Sequence, residues 1–148
     1  MPNDHQPHAT PSVKNDLTPG RIWSEIIRRP TLGEFSTAFT ADVALDASVL
    51  PRTVRGAPDV RAVFDATRGM YESIAFSREE NSASRTYLEW EGVFKGRLVA
   101  GATILAKDAA GLIEGVRLYH RPLFMVNEFS TELLRRLAGK MVADALRS

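Results

Sequence analysis

From Ile74 to Arg121 the apolar positions recur at every second residue, the period of strands whose two faces meet different surroundings. Arg85 to Phe94 is the clearest of these segments, rich in Thr, Tyr, Trp, Val and Phe. Lys95-Gly96 predicts a tight turn into Arg97 to Lys107. Asp108-Ala109-Ala110-Gly111 predicts a second turn into Ile113 to Arg121, and Pro122 ends that strand. Ile74 to Arg78 is read as a shorter strand before them. Strands joined by such short loops are antiparallel neighbours.

The first half of the chain reads differently. Thr18-Pro19 supplies an N-cap and a proline at the first helical position, and Ile22, Trp23, Ile26 and Ile27 follow at helical spacing. Arg28-Arg29-Pro30 stops that helix. Thr31-Leu32-Gly33-Glu34 has capping-box form and opens a short second piece with Phe35, Ala38 and Phe39. Asp42 to Val49 is a short strand, with Val43, Leu45 and Ala47 alternating against Asp42, Ala44 and Asp46. Pro58-Asp59 starts another helix, with Val60, Val63, Phe64, Thr67 and Tyr71 on one face. Ser130 or Thr131 caps a last helix over 130–147, whose stripe is Leu133, Leu134, Leu137, Met141, Val142 and Ala145.

Composition narrows the function classes. The 148 residues suit one domain with a proper core. Lys and Arg number 19 against 18 Asp and Glu, so no basic excess exists to neutralise a run of phosphates, and nucleic acid is not the expected partner. The chain has no cysteine, which excludes disulfides, thiolate metal sites and a Cys nucleophile. A cytoplasmic location is the expectation. Met1 to Leu17 lacks an apolar stretch typical of a secretory signal and reads as a disordered leader. His5 and His8 lie in it without neighbouring ligands, so no metal site is expected. No apolar run approaches the length of a membrane span. No phosphate loop, serine elbow or metal-binding His/Glu helix pair is present, and no cofactor is expected.

Helix, short strand, helix and long antiparallel meander is the order of the nuclear transport factor 2 superfamily. Gly96-Arg97-Leu98-Val99-Ala100-Gly101, through Asp108-Ala109-Ala110-Gly111-Leu112-Ile113, to Leu118-Tyr119-His120-Arg121-Pro122 resembles that superfamily's closing hairpin. The likeness is to SnoaL-like polyketide cyclases and ketosteroid isomerases in particular. Phe39-Thr40-Ala41-Asp42-Val43 is similar to the family's entry into its first strand. The resemblance covers about residues 18 to 122. It implies an α+β fold: a cone-shaped, curved antiparallel sheet with about three helices enclosing a pocket, plus the C-terminal helix, all in one domain over 18–148. It also implies dimerisation through the outer sheet face. By position, the isomerase base falls near Ala47, which cannot take a proton, and the two oxyanion donors fall near Trp23 and Thr103. Asp46 is the adjacent acid, but a one-residue shift turns a strand side chain to the other face. The paired acids and arginine of the epoxide-hydrolase pattern fall on Glu89, Glu91, Arg117 and Tyr119-His120-Arg121, with no acid in the last strand after Glu114.

The face implied to be inner carries Leu88, Trp90, Gly92 and Phe94, then Val99, Gly101, Thr103 and Leu105, then Val116, Leu118 and His120. His120 is its one titratable group: either a general acid or base near neutral pH, or a core histidine bonded to its neighbours. Asp46 is either a proton acceptor or orienting group for His120, or a solvated strand-edge charge. Trp23 and Trp90 either stack on a flat ligand or are core. Tyr71 either offers its phenol to a carbonyl or packs. With Leu88, Thr103, Leu105, Val116 and Leu118, these form the expected ligand-binding wall. On the outer face, Glu89 and Glu91 are expected to pair across strands with Arg117 and Arg121, beside Tyr87, Ala100, Ala102, Ile104 and Tyr119. Arg52, Arg55, Arg61 and Arg68 either attract an anion or stay solvated. The expected function is a pocket for an apolar, carbonyl-bearing small molecule, with acid/base isomerase, cyclase or hydrolase chemistry. The alternatives are a non-catalytic binder and a dimeric protein-interaction module. Whether the chain is an enzyme stays open.

Overall fold

The structure is a computed structural model that describes residues 18–29 and 33–141. Helix α1 (Pro19–Arg28) starts where the capping chemistry dictates: the Thr18 hydroxyl accepts the Arg21 N–H at 3.2 Å, with Pro19 in the first turn. It buries Trp23 and Ile26. A short helix α2 (Gly33–Ala38) leads into strand β1 (Phe39–Ala47). Strand β2 (Val54–Arg55) returns against β1, and helix α3 (Ala57–Arg68) buries Val60, Val63, Phe64 and Thr67. Strands β3 (Ser73–Asn81), β4 (Arg85–Phe94), β5 (Arg97–Lys107) and β6 (Ile113–Arg121) form the meander. Helix α4 (Leu123–Leu137) closes the described chain, after a cis Arg121–Pro122 peptide.

The α+β curved sheet expected from the sequence is present, with six strands in the order β2-β1-β6-β5-β4-β3. It is mixed rather than wholly antiparallel, because β1 runs parallel to β6 in the register Asp46↔Arg117 and Ala47↔Leu118. That pair is joined through the rest of the chain rather than by a hairpin, so loop length says nothing about its direction. Breaks of register between Phe39 and Ala44, Phe76 and Arg78, and Ala106 and Lys107 mark the irregular points of the ladders. Gly101 is needed for close approach: a Cβ there would sit 1.9 Å from the Tyr119 carbonyl oxygen and 2.5 Å from the Trp90 ring.

Helix α4 departs from the expectation. It begins at Leu123, not at Ser130 or Thr131, with Pro122 as N-cap, and it ends at Leu137. Ser130 instead reaches sideways, donating to the Val49 carbonyl at 2.7 Å, and Thr131 bonds back to the Asn127 carbonyl. The buried stripe is Met125, Phe129, Leu133 and Leu137. Val142, Ala145 and Arg147 of the expected helix, the capping-box residues Thr31 and Leu32, and the leader with His5 and His8 lie outside the described residues. No helix among the described residues is long and apolar enough to cross a membrane.

Candidate functional site

The alternation of β4 and β6 aims Trp90 and His120 at the inner face, and the helices close over them. Leu88, Trp90 and Phe94 of β4, Val99, Thr103 and Leu105 of β5, and Val116, Leu118 and His120 of β6 are all buried. His120 is held from both sides. Its backbone N–H donates to Ser48 Oγ at 2.9 Å, so the β1–β2 loop fixes the strand end. Its Nε2 lies 2.5 Å from the Tyr71 hydroxyl. Tyr71 follows α3 and places its ring almost parallel to the imidazole, at 6.2 Å between centroids. Trp90 packs edge-on at 4.9 Å from the imidazole, and Phe129 of α4 lies 4.8 Å from it and 5.1 Å from Tyr71.

The environment is dry, and it sets the charge states. Burial pushes the His120 pKa down to about 4 and pushes the Tyr71 phenol well above its usual value. Both side chains are therefore neutral at pH 7. Two tautomers satisfy the 2.5 Å contact. If Nδ1 carries the proton, Tyr71 donates to Nε2 and the Nδ1–H is left over. If Nε2 carries it, Tyr71 accepts and its own O–H is left to reach outward. In either case polar capacity remains unused: His120 Nδ1 and Trp90 Nε1 are both buried without a partner, at 7% and 2% residue exposure.

The space beside Tyr71 and Trp90 is small and His120 does not line it; His120 borders instead, with Trp90, the groove over β4, β5 and β6 that Glu89, Glu91 and Arg121 also line. A cavity of about 30 Å³ lies among Trp23, Phe64, Thr67, Tyr71, Trp90, Thr103 and Leu118. That is about the volume of one water molecule. Aromatic packing fills the rest of the cone: Trp23 meets Phe64 at 5.2 Å, Phe35 meets Phe39 at 4.4 Å, and Phe94 meets Phe129 at 5.0 Å. Of the expected ligand wall, Trp23, Tyr71, Trp90, Thr103 and Leu118 share this cavity. Leu88 lines a groove between α1 and β3, Leu105 lines one between α1 and β5, and Val116 borders a polar hollow on the outer face.

Asp46 is not brought to His120. It lies beside Arg117 in the β1–β6 register, whereas His120 shares the inward alternation of Val116 and Leu118. Asp46 is exposed on the outer hollow and accepts a hydrogen bond from Thr53. The period of β1 carried this signal, since Val43 and Leu45 turn inward and Asp46 alternates with them. Phe129 was missed because the last helix was started too late. Met125, Phe129, Leu133 and Leu137 repeat at every fourth position, and that spacing would have revealed it.

The expected outer-face ion pairs do not form. Strand β5 stands between β4 and β6, with Ala100 between Glu91 and Arg121 and Ala102 between Glu89 and Tyr119. Two strand spacings, about 10 Å, separate the acids from the arginines. Among the described residues no group of three or more His, Cys, Asp or Glu side chains is arranged to hold a metal ion.

No family model matches the sequence, and no curated protein matches it. Solved structures do match in shape. A steroid delta-isomerase from Pseudomonas aeruginosa superposes with a TM-score of 0.71 at 22% identity, over 93% of this chain and 96% of its own. An uncharacterised bacterial protein with a cystatin-like fold from Silicibacter pomeroyi gives 0.72 at 16% identity, over 78% and 82%. A protein with a ketosteroid isomerase-like fold from Catenulispora acidiphila, in complex with trimethylamine, gives 0.56 at 20%, over 77% and 95%. The chain has the nuclear transport factor 2-like fold, as its sequence resemblance implied.

Proposed function

We propose that this chain, with its nuclear transport factor 2-like fold, is a small-molecule pocket protein. Its polar end is the Tyr71–His120 pair, and its ligand is an apolar molecule bearing one carbonyl. The observation that carries this reading is the buried 2.5 Å Tyr71–His120 contact, beside the unpartnered His120 Nδ1 and Trp90 Nε1. Buried polar atoms without partners cost stability unless something meets them. A carbonyl oxygen accepting from Trp90 Nε1, or from His120 Nδ1 when that nitrogen carries the proton, would do so, and the surrounding aromatic rings would cover the apolar body. The fold relative that holds trimethylamine supports small-molecule binding on this scaffold.

The neutral pair favours binding over proton abstraction. An imidazole with a pKa of about 4 is a weak base at pH 7. Acid/base isomerase, cyclase or hydrolase chemistry would use His120 as the base and Tyr71 as the donor to the developing oxyanion. It would also need a ligand that raises the His120 basicity. The cavity of about 30 Å³ means that α1 or α3, which line it, must shift for the ligand to enter. The test is mass spectrometry of small molecules released from natively purified protein, for the natural chain and for Tyr71→Phe. A recurrent carbonyl compound that is lost in the variant supports the site. Empty protein, or the same compound recovered from both, refutes it.

A second reading, a homodimer through the outer sheet face, is favoured by the unpaired charges. Glu89 and Glu91 on β4 and Tyr119 and Arg121 on β6 flank a floor of Ala100 and Ala102, above which lies a groove of about 380 Å³, and Arg117 stands further along β6 opposite Ile104. A second copy related by a two-fold axis lays acids on arginines twice over. Tyr87 and Tyr119, at 43% and 46% exposure, supply apolar area beside them. Sedimentation of Arg117→Glu/Arg121→Glu, alone and mixed with Glu89→Arg/Glu91→Arg, tests this. Separate monomers that associate on mixing support the face. A natural chain that is monomeric at all concentrations refutes it.

A further inference from the structure

A groove of about 350 Å³ runs between α1, the end of α2 and the β5–β6 turn. Its walls are almost wholly apolar: Ile22, Trp23 and Ile26 from α1, Leu105 from β5, and Leu112 and Ile113 beyond the turn. Ile22 is 44% exposed here, extending the buried Trp23–Ile26 stripe into the open. Among the described residues one charged side chain lines the groove, Lys107 at the end of β5.

Asp108, the next residue, and Glu79, which feels the Lys107 charge, are already engaged. Asp108 accepts the N–H groups of Ala110 and Leu112, both at 2.9 Å, which shapes the turn. Glu79 accepts the Thr18 hydroxyl at 2.7 Å, the Gly20 N–H at 3.0 Å and the Asn81 amide at 2.7 Å. The Lys107 ammonium influences Glu79 electrostatically, yet among the described residues it makes no ion pair or side-chain hydrogen bond. An apolar trough of ligand size thus ends at a cation that keeps its donors.

We propose that this groove is a second ligand site, separate from the cone interior, for an amphipathic monoanion. An apolar chain or ring lies along Ile22, Trp23, Ile26 and Leu105, and its carboxylate meets Lys107. The occupant is anionic because, among the described residues, the one charged side chain lining the groove is positive, and apolar because the walls offer few other polar partners.

Decanoate and its neutral counterpart 1-decanol serve as probes of the full-length chain, by calorimetry and by Trp emission. Decanoate is expected to bind one per chain. Lys107→Met weakens decanoate roughly fivefold and leaves 1-decanol unchanged, the scale of one exposed ion pair. Ile22→Asp weakens both probes about tenfold or more. Both positions are partly exposed, and circular dichroism verifies that the variants fold. Absence of decanoate binding overturns the proposal. So does binding that survives both substitutions, or equal affinity for acid and alcohol. Loss on Tyr71→Phe with retention on Lys107→Met would put the probe inside the cone, overturning the groove while sparing the interior site.

Discussion

The inner and outer faces of the sheet are made from alternate residues of the same strands, and they have been built to opposite rules. Inside, Trp90, Thr103, Leu118 and His120 are buried, and aromatic side chains from α1, α3 and α4 fill nearly all the space they enclose. Outside, Glu89, Glu91, Arg117 and Arg121 stand in water without ion pairs, beside shallow hollows of a few hundred Å³. The inner face spends its polarity on one neutral pair and leaves two ring nitrogens unmet. The outer face carries full charges at little cost, because solvent screens them. Chemistry that depends on a perturbed group belongs inside, and association that depends on charge belongs outside.

The contrast is broken most forcefully at Phe129. Phe129→Ala opens space against Tyr71, Phe94 and His120 and is expected to cost about 3–5 kcal/mol in urea unfolding. Retention of full stability would mean that α4 does not seal the cone. Next comes pH. His120 is depressed from 6.5 to about 4 in the fold, so the unfolded chain binds the extra proton between these values. Stability contributed by the buried neutral ring is complete above pH 6.5 and falls as pH drops toward 4, by roughly 3 kcal/mol. His120→Gln should flatten that part of the profile, and an unchanged slope would assign it to other groups.

Smaller effects sharpen the picture. Tyr71→Phe keeps the ring contacts but leaves Nε2 unmet, at an expected cost of about 1–3 kcal/mol. Double substitution with His120→Leu should recover part of this, because two apolar groups no longer need each other's hydrogen bond. On the outer face, Glu91→Ala is expected to change monomer stability by less than about 0.5 kcal/mol. A larger loss at low protein concentration would mean that Glu91 is engaged within the chain.

Much of this architecture was legible in the sequence. The boundaries of β4, β5 and β6 follow from the turns at Lys95-Gly96 and Asp108–Gly111 and from Pro122. The Lys95-Gly96 turn needs positive φ at both residues, 53° and 73°, and glycine supplies one at no steric cost. Thr18-Pro19 likewise marked the start of α1. The parallel β1–β6 pair was not legible, because pairing between distant segments leaves no local trace. Tyr71 and His120 were each recognisable as candidates, but their contact spans 49 positions and depends on how α3 lies over the sheet. Cavity volume was equally hidden, since it is the small difference between a cone's interior and the many side chains that fill it.

The most direct test of a dry, neutral pair inside the cone is a long-range proton–nitrogen NMR titration of the His120 ring. One fixed neutral tautomer is expected from pH 8 down to about 5, with protonation setting in near pH 4. A midpoint near 6.5, with fast exchange between tautomers, would put the imidazole in water and contradict the claim that this pair is the sealed polar end of a ligand site.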